Sequence, residues 1–456
     1  MPHPKQPDGV ASENALANPT PQVTLYVMAN HSGKPDSLLA LSLLAILVGM
    51  LSGLVSSLFR LALEHADRWR DAFIGWAHGS PNLGFVLVVA TVSAATALAA
   101  WLVRRLSPQA SGSGIPHVET VLNRKLPPAP FRLLPVKFVG GWLAIGGGLA
   151  LGREGPSIQM GAAISTLLAR VFRRNATDSQ ALLAAGAGAG LATAFNAPIA
   201  GALFVLEELV RRFDTRIAIA ALGASAGAIG IARLFIGNAP DFHVAPIAYP
   251  GFGIAGFDLV LGVVAGFAGM AYNRAILGAL AANDRLDRLP VELRAGMIGA
   301  AVGMLAWFAP RLVGGGESLT QAAIDGTEAL GALALVFLLR FGLGAVSYAA
   351  KTPGGLFAPM LVLGAQVGVL FGAVCRFGSF DLGAPPAAFA IVGMAAFFSA
   401  VVRAPVTGIV LITEMTGSFT QLLPMLCACF AAMAVPTFFG NPPIYDSLRE
   451  RMLSNP

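Results

Sequence analysis

From residue 37 to residue 450 the chain alternates long uncharged windows with short polar breaks. Ser37 to Phe59, Phe85 to Val103, Ser179 to Leu206, Thr352 to Cys375, Leu382 to Val402 and Met415 to Tyr445 contain no Asp, Glu, Lys or Arg. Each approaches or exceeds the roughly 20 residues that a helix needs to cross a bilayer. The pattern predicts an all-α polytopic membrane protein. The last window is interrupted by Pro and Gly, and the stretches Gly141 to Gly152 and Phe341 to Ala350 are shorter and broken. Helices that stop part-way across are expected there, and broken helices point to a site near the midplane.

Composition removes the alternatives. With 55% apolar and only 12% charged residues, the chain is neither an ordinary soluble domain nor a disordered one. Residues 1–36 are polar and read as a disordered tail, because the first apolar run is too long for a secretory signal core. One transmembrane domain is expected over 37–450, with a short tail at 451–456 and no room for a C-terminal soluble domain. The net charge of +6 is modest for this length. Arg104, Arg105, Arg173, Arg174, Arg211 and Arg212 flank apolar segments, which suits lipid-headgroup anchoring better than nucleic-acid binding. Cys375, Cys427 and Cys429 sit in apolar runs and read as packing residues. Scattered histidines and the lack of a zinc-protease or phosphate-loop motif give no metal site and no cofactor, and Gly314-Gly315-Gly316 reads as a loop.

The chain repeats itself. Gly152-x3-Pro156-x4-Gly161-Ala162 returns as Gly355-x3-Pro359-x4-Gly364-Ala365 at an offset of 203 residues. Ala197-Pro198-x2-Gly201-x5-Glu207 returns as Ala404-Pro405-x2-Gly408-x5-Glu414 at an offset of 207. Two halves follow, about 37–235 and 250–450, and such repeats build transporters. Parallel and inverted arrangements both remain open, because broken helices prevent a secure count of crossings.

Three glycine turns precede apolar helices. Gly112-Ser113-Gly114-Ile115-Pro116, Gly152-Arg153-Glu154-Gly155-Pro156 and Gly355-Leu356-Phe357-Ala358-Pro359 each combine glycine with a proline suited to a first helical turn. A helix N-terminus attracts an anion by roughly 0.3–1 kcal/mol when exposed and up to about 2 kcal/mol when partly buried. Placing a charge at the bilayer centre costs at least about 2.5–3.5 kcal/mol. Several termini and hydroxyls are therefore needed for one ion, and the sequence supplies them. Taken singly, each turn is equally well a helix-packing device. Glu154 by itself fits a local ion pair with Arg153 as well as a functional carboxylate. Its place beside an anion-attracting turn favours function, because a carboxylate can occupy an anion position and withdraw when protonated.

These turns, with Leu134 to Gly148, Phe195 to Glu208 and Tyr445, closely resemble the signature of the CLC chloride channels and proton-coupled chloride transporters, over about Ser37 to Leu448. The resemblance implies an inverted-repeat fold with many tilted and half-spanning helices, assembled as a homodimer with an anion pathway in each subunit. It implies chloride, bound as substrate, on the hydroxyls of Ser113 and Tyr445 and the amides of Leu356 and Phe357, with Arg153 and Gly155 shaping an outer site. Glu154 becomes the gate and external proton site. Taken alone, Tyr445 suits an interfacial belt and Ser113 a helix cap. Lys137 and Arg340 are secondary candidates for the positive potential of the pore, against snorkelling or ion pairing.

Glu207 and Glu208 end an apolar run ahead of Arg211 and Arg212, as an ordinary helix-end charge cluster would. Glu414 matches Glu207, whereas Met415 stands where Glu208 does. By the resemblance, Glu208 is the internal proton acceptor of exchangers. His117 is a departure where an acidic residue could stand, and reads as a solvated or packing residue. The paired C-terminal regulatory domains of larger members are lacking, so no nucleotide partner is expected.

The implied function is chloride/proton antiport across the cell (inner) membrane, with both termini cytoplasmic and the lipid bilayer, chloride, protons and a second copy as partners. A passive chloride channel is the nearest alternative. A fluoride/proton antiporter fits less well, since that branch departs from the serine motif at Ser113. An intramembrane hydrolase built on Glu154 and Glu208 would lack a nucleophile or metal. A scaffold gives no reason to repeat glycine turns around buried Glu and Arg.

Overall fold

The computed structural model describes residues 37–248, 251–378 and 383–454. The tail expected over 1–36 lies outside these residues. Among the described residues the first half contains α1 (Leu38–Ala77), α2 (Pro81–Leu106), α3 (Ile115–Leu122), α4 (Leu133–Gly146), α5 (Glu154–Val171), α6 (Ala176–Ala194), α7 (Pro198–Phe204), and α8 (Thr215–Ile236). The second half contains α9 (Ala255–Asp284), α10 (Val291–Phe308), α11 (Glu317–Asp325), α12 (Leu330–Ala349), α13 (Phe357–Phe377), α14 (Pro386–Val402), α15 (Pro405–Thr416), α16 (Leu422–Phe438) and α17 (Ile444–Ser454). Helices α1, α2, α8, α9, α10, α12 and α13 are long and apolar enough to cross a membrane, whereas α4, α14, α15 and α16 are apolar but shorter.

The repeat is visible in packing. Gly161 of α5 meets the Gly186 carbonyl of α6, and Gly364 of α13 meets the Gly393 carbonyl of α14, so a methyl group at Gly161 or Gly364 would collide with backbone. Close backbone approach through small residues is how membrane helices gain contact where lipid already solvates apolar side chains. The two half-sequences also cap one another. Glu207 accepts from the amides of Val406 (3.0 Å) and Thr407 (2.6 Å) at the start of α15, and from the Thr407 hydroxyl. Glu414 accepts from the amides of Ile199 (3.1 Å) and Ala200 (2.8 Å) at the start of α7. Reciprocal contacts between equivalent positions are the signature of a local two-fold relation.

Several sequence expectations change. The window Ser179 to Leu206 is two helices, broken where Asn196 adopts a left-handed backbone (φ 49°) ahead of Pro198. Arg403 repeats that break ahead of Pro405 (φ 70°). Phe341 to Ala350 is no interrupted stretch: α12 runs unbroken through it, with Arg340 mid-helix. The short tail expected from 451 remains helical to Ser454. Cys375 and Cys429 are buried, as packing residues should be, while Cys427 is only half-buried. Arg211, one of the arginines flanking apolar segments, pairs with Glu208 and Asp446.

Candidate functional site

The three glycine turns converge. Gly152 and Gly355, equivalent in the repeat, form an antiparallel bridge in which each amide donates to the other's carbonyl, at 2.9 and 2.7 Å. Gly112 runs parallel to Pro353, its amide donating to Thr352 and its carbonyl accepting from Gly354, both at 3.1 Å. These bonds hold the starts of α3, α5 and α13 together. Gly155 must lack a side chain because a Cβ there would stand 2.7 Å from the Ser113 carbonyl and 3.0 Å from the Gly355 Cα.

Glu154 opens α5 and is fully buried. Its Oε1 accepts from the Phe357 amide at 2.7 Å, the first residue of α13. The carboxylate fills space that side chains on Gly152 and Gly355 would occupy. It makes no ion pair with Arg153 among the described residues. Arg153 instead donates to the Ala194 carbonyl (2.8 Å) and pairs with Asp241 (3.2 Å) and Glu317 (2.8 Å). A buried carboxylate on a helix N-terminal amide is thus sitting where an anion would bind.

Ser113 and Tyr445 are both buried. Ser113 Oγ accepts from the amide of Ile115, the first residue of α3, at 3.2 Å. Tyr445 opens α17 against Phe357, with ring centroids 6.0 Å apart, so it is no interfacial belt residue. Its hydroxyl has no hydrogen-bond partner among the described residues. A buried unpaired donor costs about 1–3 kcal/mol, which a weak acceptor such as chloride would relieve. Phe357 is itself fixed by Phe398 at 4.7 Å and by Phe195 and Phe204. The Leu356 backbone stands at the same turn, at the N-cap of α13.

Two buried cations hold loops. Lys137 donates to the carbonyls of Ala110 (3.0 Å) and Gly112 (2.7 Å), behind the Ser113 turn. Arg340 donates to Leu312 (3.0 Å), Gly314 (2.8 Å) and Gly315 (3.0 Å). Both are buried, neither pairs with a carboxylate among the described residues, and the Gly314-Gly315-Gly316 loop supplies acceptors that satisfy Arg340. His117 is buried at 6% exposure and is a packing residue rather than a solvated one.

Glu208 lies apart from Glu154, on a π-helical turn, Val205–Leu209, that continues α7. It is 2% exposed, and its carboxylate lies 3.3 Å from Arg211. With Glu207, Arg211, Arg212 and Arg403 it lines an open cavity of about 600 Å³. Sequence reasoning missed Glu119, Asp446 and Arg449, which complete the charge cluster there, and Tyr348, whose hydroxyl accepts from the Ser113 amide at 3.4 Å. The Tyr348 signal was its place a few residues ahead of the third glycine turn.

Residues 95–437 match the voltage gated chloride channel family. This chain belongs to that family. It is 39% identical over 429 residues to the H(+)/Cl(-) exchange transporter ClcA of Vibrio cholerae, covering 92% of this chain and 91% of that protein. The Vibrio parahaemolyticus ClcA is 36% identical over 443 residues, covering 95% and 94%. Among solved structures, a slow cyanobacterial Cl-/H+ antiporter superposes with a TM-score of 0.87 at 33% identity, covering 92% of this chain and 99% of that one. A eukaryotic CLC transporter gives 0.76 at 25% identity, covering 90% and 74%. The chain is therefore an all-helical membrane protein of CLC fold, from a family of transport proteins rather than enzymes.

Proposed function

We propose that this protein exchanges chloride for protons across the membrane. The observation that carries the proposal is the Glu154 carboxylate seated on the Phe357 amide at 2.7 Å, where an anion would bind. One carboxylate that competes with chloride and also takes a proton links the two ions thermodynamically. The relatives named as H(+)/Cl(-) exchange transporters and the Cl-/H+ antiporter structure support the same reading.

In this account Glu154 is the gate and external proton site, and Glu208 the internal proton site, reached from the open cavity beside it. Ser113, Leu356, Phe357 and Tyr445 bind chloride, with Arg153 and Gly155 shaping the outer end. Lys137 and Glu207 act indirectly, by holding the Ser113 turn and the start of α15. The protein works as a homodimer in the cell membrane, with the Glu208 end and both termini in the cytoplasm. Outward apolar residues such as Ile199, Leu222, Val406 and Leu426 are available for the subunit contact.

The test reconstitutes the wild type, Glu154→Ala and Glu208→Gln in liposomes and follows chloride and protons together. Both variants are expected to pass chloride while losing coupled proton movement. Uphill proton movement retained in either one would remove that residue from the pathway.

A further inference from the structure

Five charged side chains from three separate parts of the chain, Glu208 among them, meet in one cluster. Arg211 reaches Glu208 (3.3 Å) and grips both oxygens of Asp446 (2.8 and 3.0 Å). Arg449 joins Asp446 (2.8 Å) to Glu119 of α3 (2.9 Å). Glu208 and Glu119 are almost fully buried, at 2% and 1% exposure, and Glu119 Oε1 has no hydrogen-bond partner among the described residues. The other charges at the cavity beside Glu208 lie outside the network: Glu207 caps α15, Arg403 donates to the carbonyls of Ala400 and Asn441, and Arg212 is exposed. Arg216 of α8 pairs with Asp178 of α6 at 2.7 Å. Within this ion-paired network three carboxylates face two guanidinium groups, so the network, fully ionised, is one proton short of neutrality. Burial penalises that uncompensated charge, and uptake of one proton removes it.

Asp446 and Arg449 lie on α17, the helix that begins at Ile444 and carries Tyr445. The same helix is tied at its far end by Arg451 to Asp284, which also binds Lys351 (2.6 Å). Resting on the proposed role of Glu208, we propose that Asp446 and Arg449 are positioning residues for the internal proton step. Through Arg211 and Glu119 they set the charge balance that lets Glu208 take up a proton, and they link that event to the helix bearing Tyr445. Asp446 supplies the excess negative charge; Arg449 holds it in check.

Substitutions on this one helix should therefore act in opposite directions. Asp446→Asn makes the cluster neutral without a proton, so proton-coupled transport should fall away at a lower pH than in the wild type, by about one unit or tenfold in proton affinity. Arg449→Gln leaves an additional negative charge uncompensated and should move the profile to higher pH by a similar amount. Asp446→Glu and Arg449→Lys keep the charges and should return each profile towards the wild type. The measurement is uphill proton movement against pH in proteoliposomes, with chloride flux followed in parallel to show folded protein. A merely structural role would depress both variants at all pH values without moving either profile, and that result overturns the inference. Glu208→Gln separates the two levels. If it pumps protons like the wild type, the assignment of Glu208 falls and this inference with it. If it is uncoupled while the Asp446→Asn and Arg449→Gln profiles stay in place, the ion-pair inference alone is overturned.

Discussion

Replacing Glu154 by Gln keeps the shape of the side chain and removes its charge, which isolates the competition between carboxylate and chloride. In the structure Oε1 accepts from the Phe357 amide at 2.7 Å. A hydrogen bond to a charged group contributes about 1.5–3 kcal/mol and a neutral one about 0.5–1.5 kcal/mol. Losing the charge therefore weakens the hold on this amide by about 1–1.5 kcal/mol. At roughly 1.4 kcal/mol per tenfold, chloride should bind about 5- to 12-fold more tightly to the variant. Relief of repulsion between the carboxylate and the incoming anion acts in the same direction. Calorimetric titration of purified protein with chloride at neutral pH reads the difference. Acidification should bring the wild type towards the variant, because a protonated Glu154 no longer competes, while the variant should change little. Equal or weaker chloride binding by Glu154→Gln would refute the claim that the carboxylate occupies an anion position.

Two further substitutions test the scaffold. Glu207→Ala removes the acceptor for two amides and a hydroxyl at the start of α15, and should cost about 0.5–2 kcal/mol, as loss of a helix cap does. Glu414→Ala, its repeat equivalent at α7, should lower the thermal midpoint in detergent by a comparable amount, and no change in either would remove the reciprocal capping from the account. Arg340→Met leaves the carbonyls of Leu312, Gly314 and Gly315 without their donor, at about 1–3 kcal/mol for each group left unsatisfied. A large loss of thermal stability is expected, and wild-type stability would contradict the role given to Arg340.

What the sequence makes legible is local chemistry and repetition. The glycine turns, Glu154 and the equivalence of Glu207 with Glu414 are written in short motifs, and the structure brings those motifs into contact. Hydropathy misleads where a break costs no polarity. Asn196 and Pro198 interrupt the window from Ser179 to Leu206 without adding charge, so one apolar run hides two helices. It errs in the other direction at Arg340, where a charge suggested an end to the helix although loop carbonyls satisfy it in mid-helix. Of the cluster around Glu208 only the local part, Glu208 with Arg211, is legible. Arg449 meets Glu119 across 330 residues of chain, and neither residue stands out in its own segment.

The most direct measurement uses purified protein in liposomes with a chloride gradient, no initial pH gradient and the voltage clamped near zero by potassium and valinomycin, while external pH is recorded. Chloride moving down its gradient should drive protons in the opposite direction and build a pH difference from none. Chloride flux with no proton movement would contradict exchange: the protein would then be a passive chloride pathway, and Glu208 only a charge at the end of a helix.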